Sequence, residues 1–470
     1  MRLGMYRVKA AAGWMIGVAG VALAMAALWP REAITPAEKK ARAEGRTVIV
    51  FWDRHQGHEH EMRRILIDEF NRSQDKVYVR PISIGYNACM EKLLTSIAGN
   101  SPPDLCALDS TMMVQLVAQG CFMPIEDRIA KAKGIRLDDI LPYCREAVTF
   151  DGHVWGMPAT TDTYCLLWNK NAFRKAGLDP ERPPQTLKEL EEYAAKLTII
   201  GSSGIEQIGF LPWQPWDMTT MWGLFFGGQW YDPQTRRVCC AGDPRMIRMF
   251  YWQRSFAIEP GAKTHPPYAM DPEKILSFQS GFGSYMSANN PFYTGKIAMM
   301  AEGEWQVTFI PKYAPELDWG VAPLPMPEGE PPRGYGGSCV TDCIPRNCRH
   351  PEEAWQYIEW FYSPRPNGRT SPASDYCYAI HNIPANAVEA RQERFMSNPK
   401  FRVFIENVTL RKVVASPVTP ATQFLGDEMD RQRERVVFYR STPEEALQAI
   451  QDNVNAELIA AERLMGRRAL

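Results

Sequence analysis

Residues 51–62 read FWDRHQGHEHEM and place His55, His58 and His60 within six positions, with Glu59 and Glu61 between them. The chain has 7 histidines, so almost half of them meet in this one stretch. Imidazoles and carboxylates at that density could ligate zinc, move protons or hydrogen-bond a polar solute. Zinc requires the side chains to converge on one point. The stretch lies between an apolar strand-type run, TVIVFW, and a helix that begins near Glu59–Met62. Side chains on the first turn of a helix diverge, so His58 and His60 are expected on different sides, in water. The first strand–helix turn is therefore expected to offer His55 and Glu59 as hydrogen-bond partners, and no metal is expected.

The elements around the turn alternate. KVYVRPISI reads as a second strand, CMEKLLTSIAGN as a helix, DLCALD as a third strand and TMMVQLVAQG as another helix. Strands alternating with helices predict an α/β chain with a parallel-type sheet. A loop at the carboxyl end of such a strand faces a crevice, which makes Asp109 and Ser110 candidates for contact with a ligand. Beyond Asp151 the texture changes: Trp213, Trp216, Trp222 and Trp230 cluster among phenylalanines, and the chain after residue 337 is largely helical.

A length of 470 residues is too great for one ordinary core and predicts two or three folding units. Apolar content of 45% and charged content of 23% are those of a globular chain, and a net charge of −1 argues against nucleic acid as a partner. Arg2, Arg7 and Lys9 precede an uncharged run from Ala10 to Trp29. Residues 1–30 are expected to be a signal peptide or an uncleaved membrane anchor, and both readings export the rest of the chain. The 11 cysteines include no zinc-type CxxC pairs, and free buried thiols are the expectation.

Several stretches, in order, resemble the extracellular solute-binding proteins of ABC importers, the sugar-binding family that includes the maltose-binding protein. They are GNSPPD with LVAQGCFMPIED, the long run VTFDGHVWGMPATTDTYCLLWNKNAFRKAGL, GKIAMMAEGEW, GYGGSCVTDCIPRNCRHPEEAWQYIEWF and TPEEALQAIQDNVN. The similarity spans roughly residues 46 to 462. It implies a two-lobed periplasmic-binding-protein fold of type II kind, with three hinge crossings and a ligand cleft between the lobes. Crossings are expected at Trp155–Thr161, Met300–Trp305 and Tyr335–Ser338. Lobe I would then hold 46–157 with 305–337, and lobe II 158–304 with 338–470.

The same resemblance nominates residues. Trp305, beside Glu304, matches a stacking aromatic, and Asp162 an acidic position after the first crossing. Trp216 and Asp217 match an aromatic and polar pair of the second lobe, while Trp230, Tyr335 and Gly336 are further candidates. Aromatic faces for sugar C–H patches and acids for hydroxyls are what carbohydrate recognition needs. The implied function is capture of a mono- or oligosaccharide in the periplasm and delivery to ABC permease subunits by a monomer that needs no cofactor and performs no catalysis. The alternatives are a membrane-tethered receptor for signalling, a metal-ion binder resting on the histidine turn, and a glycoside hydrolase using Asp162 and Glu304.

Overall fold

The computed structural model describes residues 34–214, 218–284, 286–366 and 370–468. The segment expected to direct export, 1–30, lies outside them, as do Trp216 and Asp217. By contacts the chain divides into a small unit, Met1–Val48 with Asp75–Tyr78, and a large one, Ile49–Gln74 with Val79–Leu470. In the small unit a helix over Pro36–Ala43 is capped by the Thr35 hydroxyl, which accepts the Glu38 N–H at 3.1 Å. Arg42 pairs with the buried Glu38 one turn away at 2.7 Å.

The strands that position the site are, in chain order, β1 (Thr47–Asp53), β2 (Val77–Ser83), β3 (Leu105–Asp109), β4 (Met157–Thr161), β5 (Tyr164–Asn169) and β6 (Met299–Gly303). Then come β7 (Trp319–Ala322), β8 (Arg333–Gly336), β9 (Cys339–Cys343), β10 (Ile383–Pro384) and β11 (Lys412–Ala415). The helices used below are α1 (Gly57–Ser73), α2 (Ser110–Ala118), α3 (Pro272–Gln279), α4 (Gln306–Tyr313) and α5 (Pro351–Tyr362). After these come α6 (Pro372–Ile380), α7 (Pro399–Thr409), α8 (Thr422–Val437) and α9 (Pro443–Arg468).

A six-stranded sheet has the order β10-β4-β9-β3-β1-β2. Strands β1 and β3 pair in parallel, as the alternation of strands and helices requires. The sheet is mixed, however: β9 runs antiparallel to both β3 and β4, and β10 antiparallel to β4. The reason is topological. Strand β4 leaves the sheet at Thr161, and the later strands re-enter at that same edge, where Cys339 and Ile383 are both in register with Thr161.

The chain passes next into a three-stranded antiparallel sheet with β5 at its centre, flanked by β6 and β7. Three passages leave or enter the six-stranded sheet: Asp162–Thr163 from β4 to β5, Gly337–Ser338 from β8, which pairs with β11, to β9, and the segment from β10 to α7. The crossing expected at Met300–Trp305 is overturned. Strand β6 ends at Gly303, opposite Tyr164, and the chain turns through α4 back into β7 of the same sheet. The expected boundaries shift with it. Strand β7 pairs with β5, although 305–337 is expected in lobe I, and β9 pairs with β3 and β4, although 338–470 is expected in lobe II.

Two buried clusters brace the sheets. Under the six-stranded sheet the guanidinium of Arg63, on α1, is buried beside Asp342 of β9 at 2.5 Å, and its Nε donates to the Tyr357 hydroxyl at 3.1 Å. The centroid of the Phe361 ring lies 3.6 Å from the guanidinium carbon. Tyr362 donates to the same Asp342 carboxylate at 3.0 Å, so α1, α5 and β9 are tied by one ionic cluster. The second core is aromatic, with Trp222, Phe225, Trp230, Phe250 and Phe256 all fully buried. All 11 cysteines are free thiols, and Cys239 is the exposed one.

Candidate ligand-binding site

The passages between the sheets are fastened to one another. Asp162 donates its N–H to Ser338 O at 3.2 Å, and Gly337 returns its N–H to Asp162 O at 2.8 Å. Gly337 is close-packed here, since a Cβ would stand 3.2 Å from Cβ of Asp162. The Thr163 hydroxyl donates to Tyr335 O at 2.6 Å and the Thr163 N–H to Glu304 Oε2 at 3.1 Å. Asn382, at the start of β10, donates Nδ2 to Asp162 Oδ1 at 3.1 Å and to Glu304 Oε1 at 3.3 Å.

Glu304 is fully buried and Asp162 half-buried. Burial pushes Asp162 up to about 7; Arg54 pulls it down, whereas Asp109 and Glu59 push it further up. Glu304 is raised well above the usual carboxylate range, first by burial and then by the charge of Asp162. Four acids and one guanidinium thus converge on this hinge. Arg54 itself is ion-paired with Asp109 at 3.0 Å.

Beside the hinge lies a cavity of about 270 Å³. Tyr164 and Tyr335 form an aromatic wall with ring centroids 5.8 Å apart, Thr111 contributes from α2, Gly337 and Ser338 from the passage into β9, and α8 closes the far side. The hydroxyl of Ser338 is buried and makes no hydrogen bond among the described residues. Trp305 stands behind Tyr164, edge to face at 5.9 Å, and is 9% exposed. Its ring packs against the Gly303 backbone so closely that a Cβ there would lie 2.3 Å from Cη2. Position 303 therefore excludes a side chain.

Of the residues nominated from sequence, Asp162, Glu304, Trp305, Tyr335, Asp109 and Glu59 come together around this hinge. Others do not. Ser110 accepts the Cys339 N–H on its hydroxyl at 3.2 Å and is buried in the sheet edge. Gly336 packs on the Tyr143 ring, where a Cβ would be 2.4 Å from Cδ2. Trp230 is a core tryptophan whose Nε1 donates to Thr220 O at 3.0 Å, with its indole against Gly223.

His55 is buried too. Its Nδ1 lies 3.1 Å from Asp53 Oδ1 and 3.0 Å from the Tyr376 hydroxyl, so it faces the sheet's interior and not a ligand. His60, expected in water, has its Nδ1 2.8 Å from Asp53 Oδ2. His58 is exposed and reaches Ala379 O at 3.3 Å. Burial opposes ionisation of Asp53, but the charge of His55 and hydrogen bonds from both histidines hold its carboxyl well below the usual range. Two histidines therefore serve one carboxylate. Among the described residues no group of three or more His, Cys, Asp or Glu side chains is arranged to hold a metal ion.

Sequence reasoning does not find Arg54, Tyr164, Ser338 or Asn382. Arg54 lies inside the opening motif, hidden by its histidines, and Tyr164 comes two residues after Asp162. Nothing in the local sequence around Asn382 marks it.

Residues 57–367 match the family profile of the bacterial extracellular solute-binding proteins. The chain belongs to that family. This solute-binding protein is 23% identical over 384 residues to a putative binding protein of Brucella abortus, an alignment covering 77% of this chain and 82% of the relative. It is 26% identical over 301 residues to the sn-glycerol-3-phosphate-binding periplasmic protein UgpB of the same organism, covering 62% and 65% of the two chains. Among solved structures, CpMnBP1 with mannotriose bound superposes with a TM-score of 0.74 at 26% identity, covering 87% of this solute-binding protein and 100% of that chain. The sugar-binding protein MalE of Xanthomonas citri superposes at 0.69, with 21% identity over 90% and 99% of the two chains. The fold is the two-lobed α/β fold of these proteins, and the family is one of binding proteins.

Proposed function

We propose that this solute-binding protein captures a neutral carbohydrate in the cleft between its lobes and delivers it to the permease of an ABC importer. One lobe is built on the six-stranded sheet and the other on the three-stranded sheet. The observation that carries the reading is the juxtaposition of the Tyr164–Tyr335 wall with Asp162, Glu304 and Asn382. The rings offer apolar faces to a sugar, with Trp305 bracing Tyr164 edge-on, and the polar cluster offers hydroxyl partners in a half-dry cleft. Closure is driven by the ligand's preference for the state in which both lobes touch it.

The relatives' names raise a phosphate ester as a second ligand class, and the charge at the hinge opposes it. Asp162, Glu304, Asp109 and Glu59 outnumber Arg54, whose guanidinium is already paired with Asp109. A phosphate dianion would find that guanidinium already taken and would oppose ionisation of the neighbouring acids, whereas a sugar hydroxyl bonds to a carboxyl group in either protonation state. The protein works outside the cytoplasm, consistent with the periplasmic relatives; in this reading it acts as a monomer, and its N-terminal segment is either removed or kept as an anchor. A thermal-shift screen of neutral saccharides, sn-glycerol 3-phosphate and zinc tests the reading. Stabilisation by a saccharide is expected; stabilisation by the phosphate ester or by zinc, and by no saccharide, would overturn it.

A further inference from the structure

The amide of Asn382 reaches from one sheet to the other. Asn382 stands just ahead of β10 in the six-stranded sheet, and Glu304 follows β6 of the three-stranded sheet. Its Nδ2 donates to Asp162 and to Glu304, and the two carboxyls also hydrogen-bond each other. Glu304 is turned inward, with the Thr163 N–H on its other oxygen. Asp162 is half-buried and packs against Gly337, in the wall of the hinge cavity. A hydrogen bond between two carboxyls has no hydrogen when both are ionised, so the pair keeps one proton between them.

The other groups facing the pair leave that proton with it. Arg54 and Glu59 approach from the first strand–helix turn, and Asp109, at the end of β3, is already paired with Arg54. Glu302 lies on β6, close to Tyr164. Burial keeps the Tyr164 phenol and the Cys165 thiol protonated far into alkali, and a hydrogen bond with Cys144 does the same for Cys339. His381, the residue before Asn382, points its Nδ1 at the Thr308 hydroxyl at 2.8 Å, and burial lowers its affinity for a proton.

We propose that capture is proton-linked: the protein closes on a saccharide with one proton between Asp162 and Glu304, and loss of that proton loosens both the ligand and the grip of Asn382 across the hinge. A ligand closing over Asp162 removes the water that would solvate a second negative charge, so the bound state disfavours ionisation more than the open state does. By linkage, saccharide binding draws a proton from solution, and affinity falls as pH rises through neutrality. A neutral saccharide has no group that titrates there. The inference rests on the carbohydrate reading and adds the regulation of that same site.

Calorimetry of the full-length protein with glucose, mannose, maltose and mannobiose, in buffers of low and high ionisation enthalpy, counts the protons exchanged. Net uptake, up to about one proton per saccharide, is expected near pH 7, with affinity about fivefold or more weaker at about pH 8 than at about pH 6. Asp162→Asn and Glu304→Gln should each abolish the uptake. His381→Asn, which suits the left-handed φ of 52° at that position, should keep it. Should neither acid variant bind, infrared spectra of the wild type decide: at about pH 8, adding saccharide must restore the protonated-carboxyl band that alkali removed, and no restoration overturns the linkage. Zero uptake, proton release, uptake that survives both acid substitutions, or uptake lost in His381→Asn overturns the linkage and leaves the carbohydrate reading standing. Binding of none of the four saccharides overturns both.

Discussion

Nδ2 of Asn382 lies 3.1 Å from Oδ1 of Asp162, so an amide just ahead of β10 holds a carboxylate at the first passage out of the six-stranded sheet. The same nitrogen reaches Glu304 at 3.3 Å. Two acids gathered by one amide repel each other when both ionise, and that repulsion sits where the lobes are joined.

The repulsion makes stability depend on pH. An unfolded chain would release these protons near pH 4, whereas Asp162 holds its proton to about 7 and Glu304 is raised as well. The folded state binds more protons across that interval, so the contribution of the pair is complete below about pH 4 and is lost as pH rises through 7. Asp53 acts in the opposite sense, stabilising above about pH 4 and ceasing to do so only in stronger acid. The ligand-free protein should lose several degrees of Tm between about pH 5 and 8, and Glu304→Gln should flatten that slope. An unchanged slope in the variant would contradict the assignment.

Arg63→Leu should destabilise the protein by about 3–5 kcal/mol, because it strands Asp342 as a buried charge. Urea denaturation monitored by circular dichroism measures it. Arg63→Leu combined with Asp342→Leu should recover a large part of the loss; failure to recover would mean the cluster matters for packing rather than charge.

For the histidine turn the expectation is structural. His60→Ala removes the 2.8 Å bond to Asp53 and should cost about 1–3 kcal/mol, with ligand affinity unchanged. Zinc or EDTA should leave the Tm of the wild type where it was. A zinc-dependent rise abolished by His60→Ala would refute this account.

Substitutions behind the aromatic wall should read out in binding. Trp305→Ala withdraws the ring that braces Tyr164 and should weaken saccharide binding by about tenfold or more. Gly303→Ala should produce a milder version of the same defect, since the new methyl displaces the indole. Normal affinity in both proteins would remove Trp305 from the site.

Thiol titration offers a check on the cores. In the folded protein one thiol, Cys239, should react promptly with an aromatic disulfide reagent, and all 11 should react in denaturant.

The strands, the helices and the nomination of Asp162 and Glu304 are legible because periodicity and a resemblance both speak to local order; that the two acids share one amide is not. The hinge was harder. The stretch ending in Glu304-Trp305 resembles a crossing segment, yet β6 and β7 pair on either side of one strand, and pairing partners are not written in either segment alone. His60 was misplaced for a related reason: Asp53, its partner, lies on the preceding strand, and only the turn between them brings the two within bonding distance. Asn382 lies 220 residues from the carboxylate it holds, and no spacing rule spans that distance.

Interleaved connectivity also governs how the chain can be made. The six-stranded sheet takes its last strand from Ile383–Pro384, and β8 finds its partner only at Lys412–Ala415. Neither the six-stranded sheet nor the β8–β11 pair can be completed early as the chain emerges from the ribosome; contacts of such long sequence separation close late and slowly. If the chain is exported as proposed above, late closure of these contacts leaves it open to passage across a membrane for longer than a fold of contiguous sheets would.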